Sequence, residues 1–356
     1  MERLDDAVDI LVFQNYFSPS RHAIFEELGK TKKLLVIYMQ SASDEGRQWT
    51  EELPVHYSAR RVPTRKYAKM VFPAGKLDLP ASAEVAVLVD NNPTNISMLL
   101  FASAVRRMAR RTYLWVEHIP DPSKRRGKLL YQTLTSRALL RLAGAAASWS
   151  EMSDRYLRGL GFAGPIRRIP QVVPAPLADG PDAEPPLRSI TTLTRFGYLG
   201  SSVPRKNVAA LRTAMNAVVA GDPGCGGQLH LAGYSMPDLA EHEQAHGYVS
   251  GAGLEAFFDA IDVLVLPSVI DPWGLVVNEA LVRGRLAIVS KFCGSAEIVE
   301  QIDPALVCGL SPEEIGAALT HALSLTPEQV ALRLAKAHAL MTGFTVERAA
   351  AAFAEL

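Results

Sequence analysis

Two carboxylates eight residues apart, Asp271 and Glu279, sit within DPWGLVVNEALVRG. Asp271 comes just before a helical pattern predicted from Gly274 to Arg283 and Glu279 lies inside it, with Val277 and Leu281 four apart on one face and Gly284 placed to end it. A helix start presents free N–H groups and partial positive charge, so its backbone suits a phosphate while nearby carboxylates suit neutral hydroxyls. Gly294-Ser295, ahead of another helical start at Ala296, offers a second cradle of this kind. These residue types at this spacing describe a phosphate with sugar hydroxyls on each side.

The elements that must position them follow from hydrophobic patterning. Asp262 to Pro267 is a short β-branched apolar run stopped by Pro267-Ser268, and Leu286 to Ser290 is a second apolar run. Strand, crossover helix and strand make a parallel βαβ unit, whose ligands collect at the carboxyl ends of the strands. Upstream, Thr191 to Leu199 reads as a strand, Gly200-Ser201-Ser202 as a turn, and Pro204-Arg205-Lys206 as the approach to a helix through Ala220. Gln228 to Ala232 is a further strand ending at Gly233, and Leu254 to Ala260 a helix.

At these residues the chain resembles the nucleotide-sugar glycosyltransferases of the GT-B fold, specifically the retaining group called glycosyltransferase family 4. That family carries two Glu separated by seven residues within a P-F/W-G-L-x-x-x-E-A-x-x-x-G frame. Here the frame is Asp271-Pro272-Trp273-Gly274-Leu275 to Glu279-Ala280 and Gly284, with Asp271 in place of the first Glu. The resemblance implies that Glu279 takes the donor ribose and Asp271 the donor sugar, one methylene shorter. The family's G-R, four residues, K-G motif stands here as Gly200-Ser201 and Lys206-Asn207, so Ser201 replaces an Arg. Arg205 and Lys206 are the cations available to a diphosphate that gains charge as the glycosidic bond breaks. No DxD occurs in the chain, so the metal-holding device of GT-A enzymes is missing and neither metal nor cofactor is expected. Gly247-Tyr248-Val249 stands where the family holds the nucleotide base, with core packing of Tyr248 as the equal alternative.

The resemblance is specific from Gly200 to Val299 and topological before that. It implies an α/β chain of two Rossmann-like doubly wound parallel-sheet domains facing a central cleft. The expected division is an acceptor-side domain over 1–175, a linker over 176–188 where prolines crowd, a donor domain over 189–340 and a C-terminal helix crossing back over 341–356. A chain of 356 residues, 48% hydrophobic and 21% charged, accommodates two such domains.

In the first half, Val8 to Phe13, Leu34 to Met39, Glu84 to Val89 and Tyr113 to Val116 read as strands. The loop Gln14 to Arg21 leads to a helix from about His22 to Gly29 and lacks glycine, which argues against a GxGxxG dinucleotide site. Asn95 to Met108 reads as a helix, and Glu84 to Val89 ends at Asp90-Asn91-Asn92-Pro93. By resemblance, His118 at a strand end faces the donor sugar, with capping or ion pairing the default for Glu117. Ser148 to Leu160 resembles the last strand and helix of the first domain. Two readings of Arg21 stand, contact with an anionic acceptor or pairing on the surface.

The formal net charge of zero hides an asymmetry: residues 1–175 hold 26 Lys and Arg against 17 Asp and Glu, and residues 176–356 hold 11 against 20. Basic groups cluster at Arg60, Arg61, Arg65, Lys66 and Lys69, at Arg106, Arg107, Arg110 and Arg111, and at Lys124, Arg125, Arg126 and Lys128. Such clusters attract anionic membrane surfaces or acidic acceptors, or are solvated faces. No nucleic-acid motif accompanies them. Three cysteines without a CxxC pair indicate neither a disulfide framework nor a zinc site, and Cys293 reads as a small buried thiol. The acidic N-terminus lacks signal-peptide character and no apolar run reaches a membrane span, which predicts a cytoplasmic protein. The expected partners are a nucleotide diphosphate sugar and a saccharide or lipid-linked acceptor, in exopolysaccharide, lipopolysaccharide or glycolipid assembly. Alternatives of other classes are a GT-B sugar-nucleotide epimerase and a catalytically silent scaffold, and fold alone does not separate them.

Overall fold

The computed structural model describes residues 7–39, 52–67, 70–74, 79–89, 96–121, 124–173, 192–236 and 238–356. The chain divides into two compact units, Met1–Pro174 with Thr345–Leu356, and Ala175–Phe344. The expected linker at 176–188 and strand end at 90–93 lie outside the described residues.

The first unit is built from β1 (Val8–Gln14), α1 (Pro19–Gly29), β2 (Leu34–Tyr38), β3 (Ser58–Arg61), the hairpin of β4 (Thr64–Tyr67) and β5 (Met70–Pro73), β6 (Ala83–Val89), α2 (Ile96–Val105), β7 (Ala109–Trp115), α3 (Arg126–Ala143), β8 (Gly144–Ser148), α4 (Glu151–Gly159) and β9 (Ile166–Arg168). Its seven-stranded sheet has the order β3-β2-β1-β6-β7-β8-β9, every neighbouring pair parallel. Helices covering both faces explain why β1 and β6 are near-continuous apolar runs instead of alternating ones. Phe13 stacks on Phe101 with centroids 4.9 Å apart, tying β1 to α2 inside a core that takes in Leu11, Leu35, Leu88 and Leu114.

The second unit contains β10 (Arg195–Leu199), α5 (Val208–Gly221), β11 (Gln228–Ala232), β12 (Glu243–Gly247), α6 (Ala252–Ala260), β13 (Val263–Leu266), α7 (Leu275–Leu281), β14 (Leu286–Ser290), α8 (Ala296–Ile302), β15 (Val307–Cys308), α9 (Pro312–Leu323) and α10 (Pro327–Met341). The order β12-β11-β10-β13-β14-β15 is again all parallel and is that of a doubly wound mononucleotide-binding sheet. Strand order reverses between β10 and β13, so the loops leaving their carboxyl ends diverge and open a crevice there. The last helix, α11 (Val346–Ala354), belongs to the first unit: Phe353 lies edge-on to Phe25 and Trp115, at 6.0 and 5.4 Å.

Several boundaries differ from the sequence reading, each for a local reason. α1 begins at Pro19 and not near His22, because proline is tolerated in a first turn. α7 begins only at Leu275, since Gly274 caps it at φ +90°. The last strands of the first sheet precede and follow the expected segment: β8 is GAAAS, whose Ala and Gly carry little β propensity, and it ends where the strand was expected to begin. Beyond Val299 the chain is not wholly helical, for Val307 and Cys308 pair with Val289 and Ser290.

Candidate functional site

At the reversal point of the second sheet, three loops are stitched together. The loop after β10 contains a short 3-10 turn, Pro204–Lys206, and Asn207 at φ +57° ahead of α5. Its Arg205 carbonyl accepts from the Val269 amide at 2.8 Å, which ties it to the loop after β13. That loop is joined to the one after β14: the Asp271 amide donates to the Phe292 carbonyl, the Gly294 amide to the Asp271 carbonyl and the Ser295 amide to the Trp273 carbonyl. Glycine is required at two crossings. A Cβ on Gly233, at φ +97°, would stand 2.5 Å from the Gly200 carbonyl oxygen, and one on Gly274 would stand 2.4 Å from Leu266 Cδ2.

This stitching brings together residues 65 apart in sequence. Lys206 Nζ donates to Asp271 Oδ2 at 2.6 Å, and Asp271 Oδ1 accepts from the Trp273 amide at 3.3 Å. The lysine and carboxylate side chains are about equally and only slightly exposed. Trp273 is fixed in turn by its indole N–H donating to Asn278 Oδ1 at 2.8 Å. Arg205, next to Lys206, is exposed, as are Ser201 and Tyr248. Exposure of Tyr248 removes the core-packing alternative for it. The Ser201 side chain is exposed, and its carbonyl accepts from the Tyr198 hydroxyl at 2.7 Å, which pins the turn.

Glu279 stands on α7, half-buried, with burial pushing its carboxyl above the usual range against the pull of Arg283 and with Glu255 adding to the rise. Arg283 itself is committed: it grips Glu255 through two nitrogens at 2.7 and 2.9 Å and donates to the Glu279 carbonyl. A poorly hydrated carboxylate one turn from the loop cluster is an acceptor suited to hydroxyl donors.

The expected phosphate cradle at Gly294-Ser295 is corrected. Both amides already donate to backbone carbonyls, as does the Gly200 amide to Ala232, and a spent N–H has nothing left for a phosphate. What remains at Ser295 is a buried hydroxyl without a hydrogen-bond partner, 3.2 Å from where a Cβ on Gly274 would be. Sequence patterning gave no signal for it, because a serine before a helix reads as a cap. Cys293 is a buried thiol, pushed by burial up to about 12. Among the described residues no group of three or more His, Cys, Asp or Glu is placed to hold a metal ion.

The first unit has its own cluster at the carboxyl ends of its strands. His118 follows β7 and its Nε2 lies 2.8 Å from Gln132 Nε2 on α3. Gln132 is buried, and it is a residue the sequence reading missed; the inward face of α3 also carries Thr135 and Ser136, so no single polar position stood out. Arg21 is not a surface cation. Its guanidinium pairs with Glu117 and lies about equally far from two tryptophans, 6.0 Å from the Trp115 ring centre and 5.9 Å from that of Trp149. An arginine held this way is built into the fold, so surface pairing gives way to an internal pair.

One comparison with known proteins falls within the second unit. Residues 194–324 match the family model of Glycosyl transferases group 1. An uncharacterized glycosyltransferase of Methanocaldococcus jannaschii is 33% identical over 79 residues, which cover 22% of this chain and 20% of that relative's length. Over the whole chain the similarity is structural. Sucrose-phosphate synthase from Thermosynechococcus elongatus superposes with a TM-score of 0.69 at 16% identity, covering 98% of this chain and 97% of its own. An α,α-trehalose-phosphate synthase (UDP-forming) from Burkholderia vietnamiensis does so with a TM-score of 0.70 at 12% identity, covering 97% and 98%. The chain therefore has the two-sheet α/β GT-B fold, and residues 194–324 of its second unit are similar to the Glycosyl transferases group 1 family.

Proposed function

We propose that the protein is a retaining, metal-independent glycosyltransferase of the family 4 type, moving a sugar from a nucleotide diphosphate sugar to a hydroxyl of a saccharide or lipid-linked acceptor. The observation that carries this reading is the Lys206–Asp271 pair at the reversal point of a mononucleotide-type sheet, with the half-buried Glu279 on α7, the helix that follows Asp271. Lysine is a compact charge on a flexible stem and changes partner readily. When donor binds, Lys206 passes from Asp271 to the diphosphate, and Asp271 is released to accept hydrogen bonds from sugar hydroxyls. Glu279 accepts from the ribose hydroxyls, the exposed Tyr248 covers the base, and Arg205 adds a second positive charge. His118 orients the sugar from the acceptor side.

In the transfer step the bond from the anomeric carbon to the diphosphate oxygen breaks and a bond to the acceptor oxygen forms on the same face. The acceptor proton passes to the departing diphosphate, whose growing charge Lys206 stabilises; such a contact strengthens toward the transition state and so accelerates the reaction. The protein needs no cofactor in this scheme. A uridine nucleotide is the first donor to try, because the Burkholderia vietnamiensis neighbour is a UDP-forming synthase. A cytoplasmic site of action at the membrane surface, in polysaccharide or glycolipid assembly, suits the excess of Lys and Arg in residues 1–175.

The test is product analysis with UDP-, GDP-, ADP- and dTDP-sugars and mixed saccharide acceptors, in the presence of EDTA. The expected result is a glycoside with the anomeric configuration of the donor. An isomerised sugar from donor alone would identify an epimerase, and a chain that neither binds nor consumes any donor would be a scaffold.

A further inference from the structure

The side of the first sheet covered by α2 and α3 has an unusual surface. The two helices pack against each other, α2 also against β6 and α3 also against β7 and β8, so they form one layer over the sheet. Their outward positions carry large apolar side chains: Leu100 on α2 is 51% exposed, and Leu130 and Leu134 on α3 are 61% and 54% exposed. Leu130 and Leu134 are four apart and so stand one above the other on a helix face, with Tyr131 beside them. Exposed cations border this stripe, with Arg125, Arg126 and Lys128 at one end of α3, Arg141 at the other, and Arg106 and Arg107 after α2.

Carboxylates are almost absent. From Ile96 to Ala143 the sequence holds ten Lys and Arg but only Glu117 and Asp121, and Glu117 is turned inward to Arg21. A soluble helix normally balances its exposed face with both signs of charge, whereas leucines rimmed by unbalanced cations are what an interfacial helix offers to a lipid surface. Two copies meeting through this face would set like charges opposite each other, which disfavours a symmetric dimer. An anionic surface has the opposite sign, and its hydrocarbon takes the leucines.

We propose that the α2–α3 face of the first unit docks the protein on anionic lipid bilayers, with Leu130 and Leu134 entering the headgroup boundary and Arg126 and Arg141, on the same side of α3, meeting the lipid phosphates. No described helix is long and apolar enough to cross a membrane, so the attachment is to one leaflet. The inference rests on the proposed acceptor chemistry only for its purpose; the binding itself is separate from transfer.

The experiment is co-sedimentation of the full chain with phosphatidylcholine vesicles and with vesicles containing phosphatidylglycerol, at physiological salt. It compares the parent, Leu130→Gln/Leu134→Gln and Arg126→Glu/Arg141→Gln. The parent is expected to bind only the anionic vesicles, and each double variant to bind them about tenfold or more weakly with an unchanged melting temperature. Should the leucine variant melt early, the charge variant, altered only at exposed side chains, decides alone. Absence of binding by the parent, or parent-like binding by the charge variant, overturns the proposal. So does light scattering that finds an oligomeric parent and a monomeric leucine variant, because a protein surface then covers the face. Transfer to a soluble acceptor, assayed without vesicles, reports separately on the glycosyltransferase reading.

Discussion

Each sheet of this protein gathers a cation and a carboxylate at the carboxyl ends of its strands, and the two pairs are held in different ways. Lys206 reaches Asp271 between two loops, beside the exposed Arg205 and Ser201, through a single ammonium group. Arg21 meets Glu117 with its planar guanidinium beside Trp115 and Trp149, themselves 4.4 Å apart. The difference teaches which charge is available for chemistry. A point charge on a flexible stem is readily handed to a ligand, whereas a guanidinium fixed by aromatic neighbours belongs to the fold.

Substitutions sharpen that contrast, since the first pair should report in activity and the second in stability. Arg21→Ala leaves Glu117 without its guanidinium and is expected to cost about 3–5 kcal/mol in denaturant unfolding. Were acceptor affinity lost at unchanged stability, the contrast would be broken. Lys206→Ala is expected to lower transfer by about 10²–10³-fold, measured as kcat, at nearly parental melting temperature. Glu279→Ala removes an acceptor for the ribose and should weaken nucleotide binding by about 1.5–3 kcal/mol in calorimetry. Gln132→Leu acts through His118, so nucleotide affinity should be unchanged while transfer falls by about 1 kcal/mol equivalent, roughly fivefold.

The smallest expected effect concerns pH. His230 on β11 stacks on His246, with Nδ1 and Nε2 3.0 Å apart, and burial, reinforced by that neighbour, lowers its pKa to about 4. The unfolded chain takes up a proton near the ordinary value, about 6.5, that the native chain refuses. Stability from this group is therefore complete above about 6.5 and is lost as pH falls toward 4. Melting curves across that window should flatten in His230→Gln.

Much of the second sheet was legible because its strands are short apolar runs bounded by Pro or Gly, and Asp271, Glu279 and Lys206 stand in a recognisable frame. The alanine strand β8 and the two-residue β15 escaped, since their pairing is decided by neighbouring strands and not by their own propensity. Gly294 and Ser295 misled for a different reason. Their spacing was right for a cradle, but whether an amide is free depends on a carbonyl supplied by another loop. Arg21 and Gln132 were illegible in function because their partners, Glu117 and His118, lie on other elements.

The most direct test of the donor site is calorimetric titration of UDP, GDP, ADP and dTDP, with EDTA present, into the parent protein, Lys206→Ala and Glu279→Ala. One nucleotide should bind the parent selectively and both variants at least about tenfold more weakly. Binding to both variants as tight as to the parent would contradict the assignment of Lys206 and Glu279 to the donor.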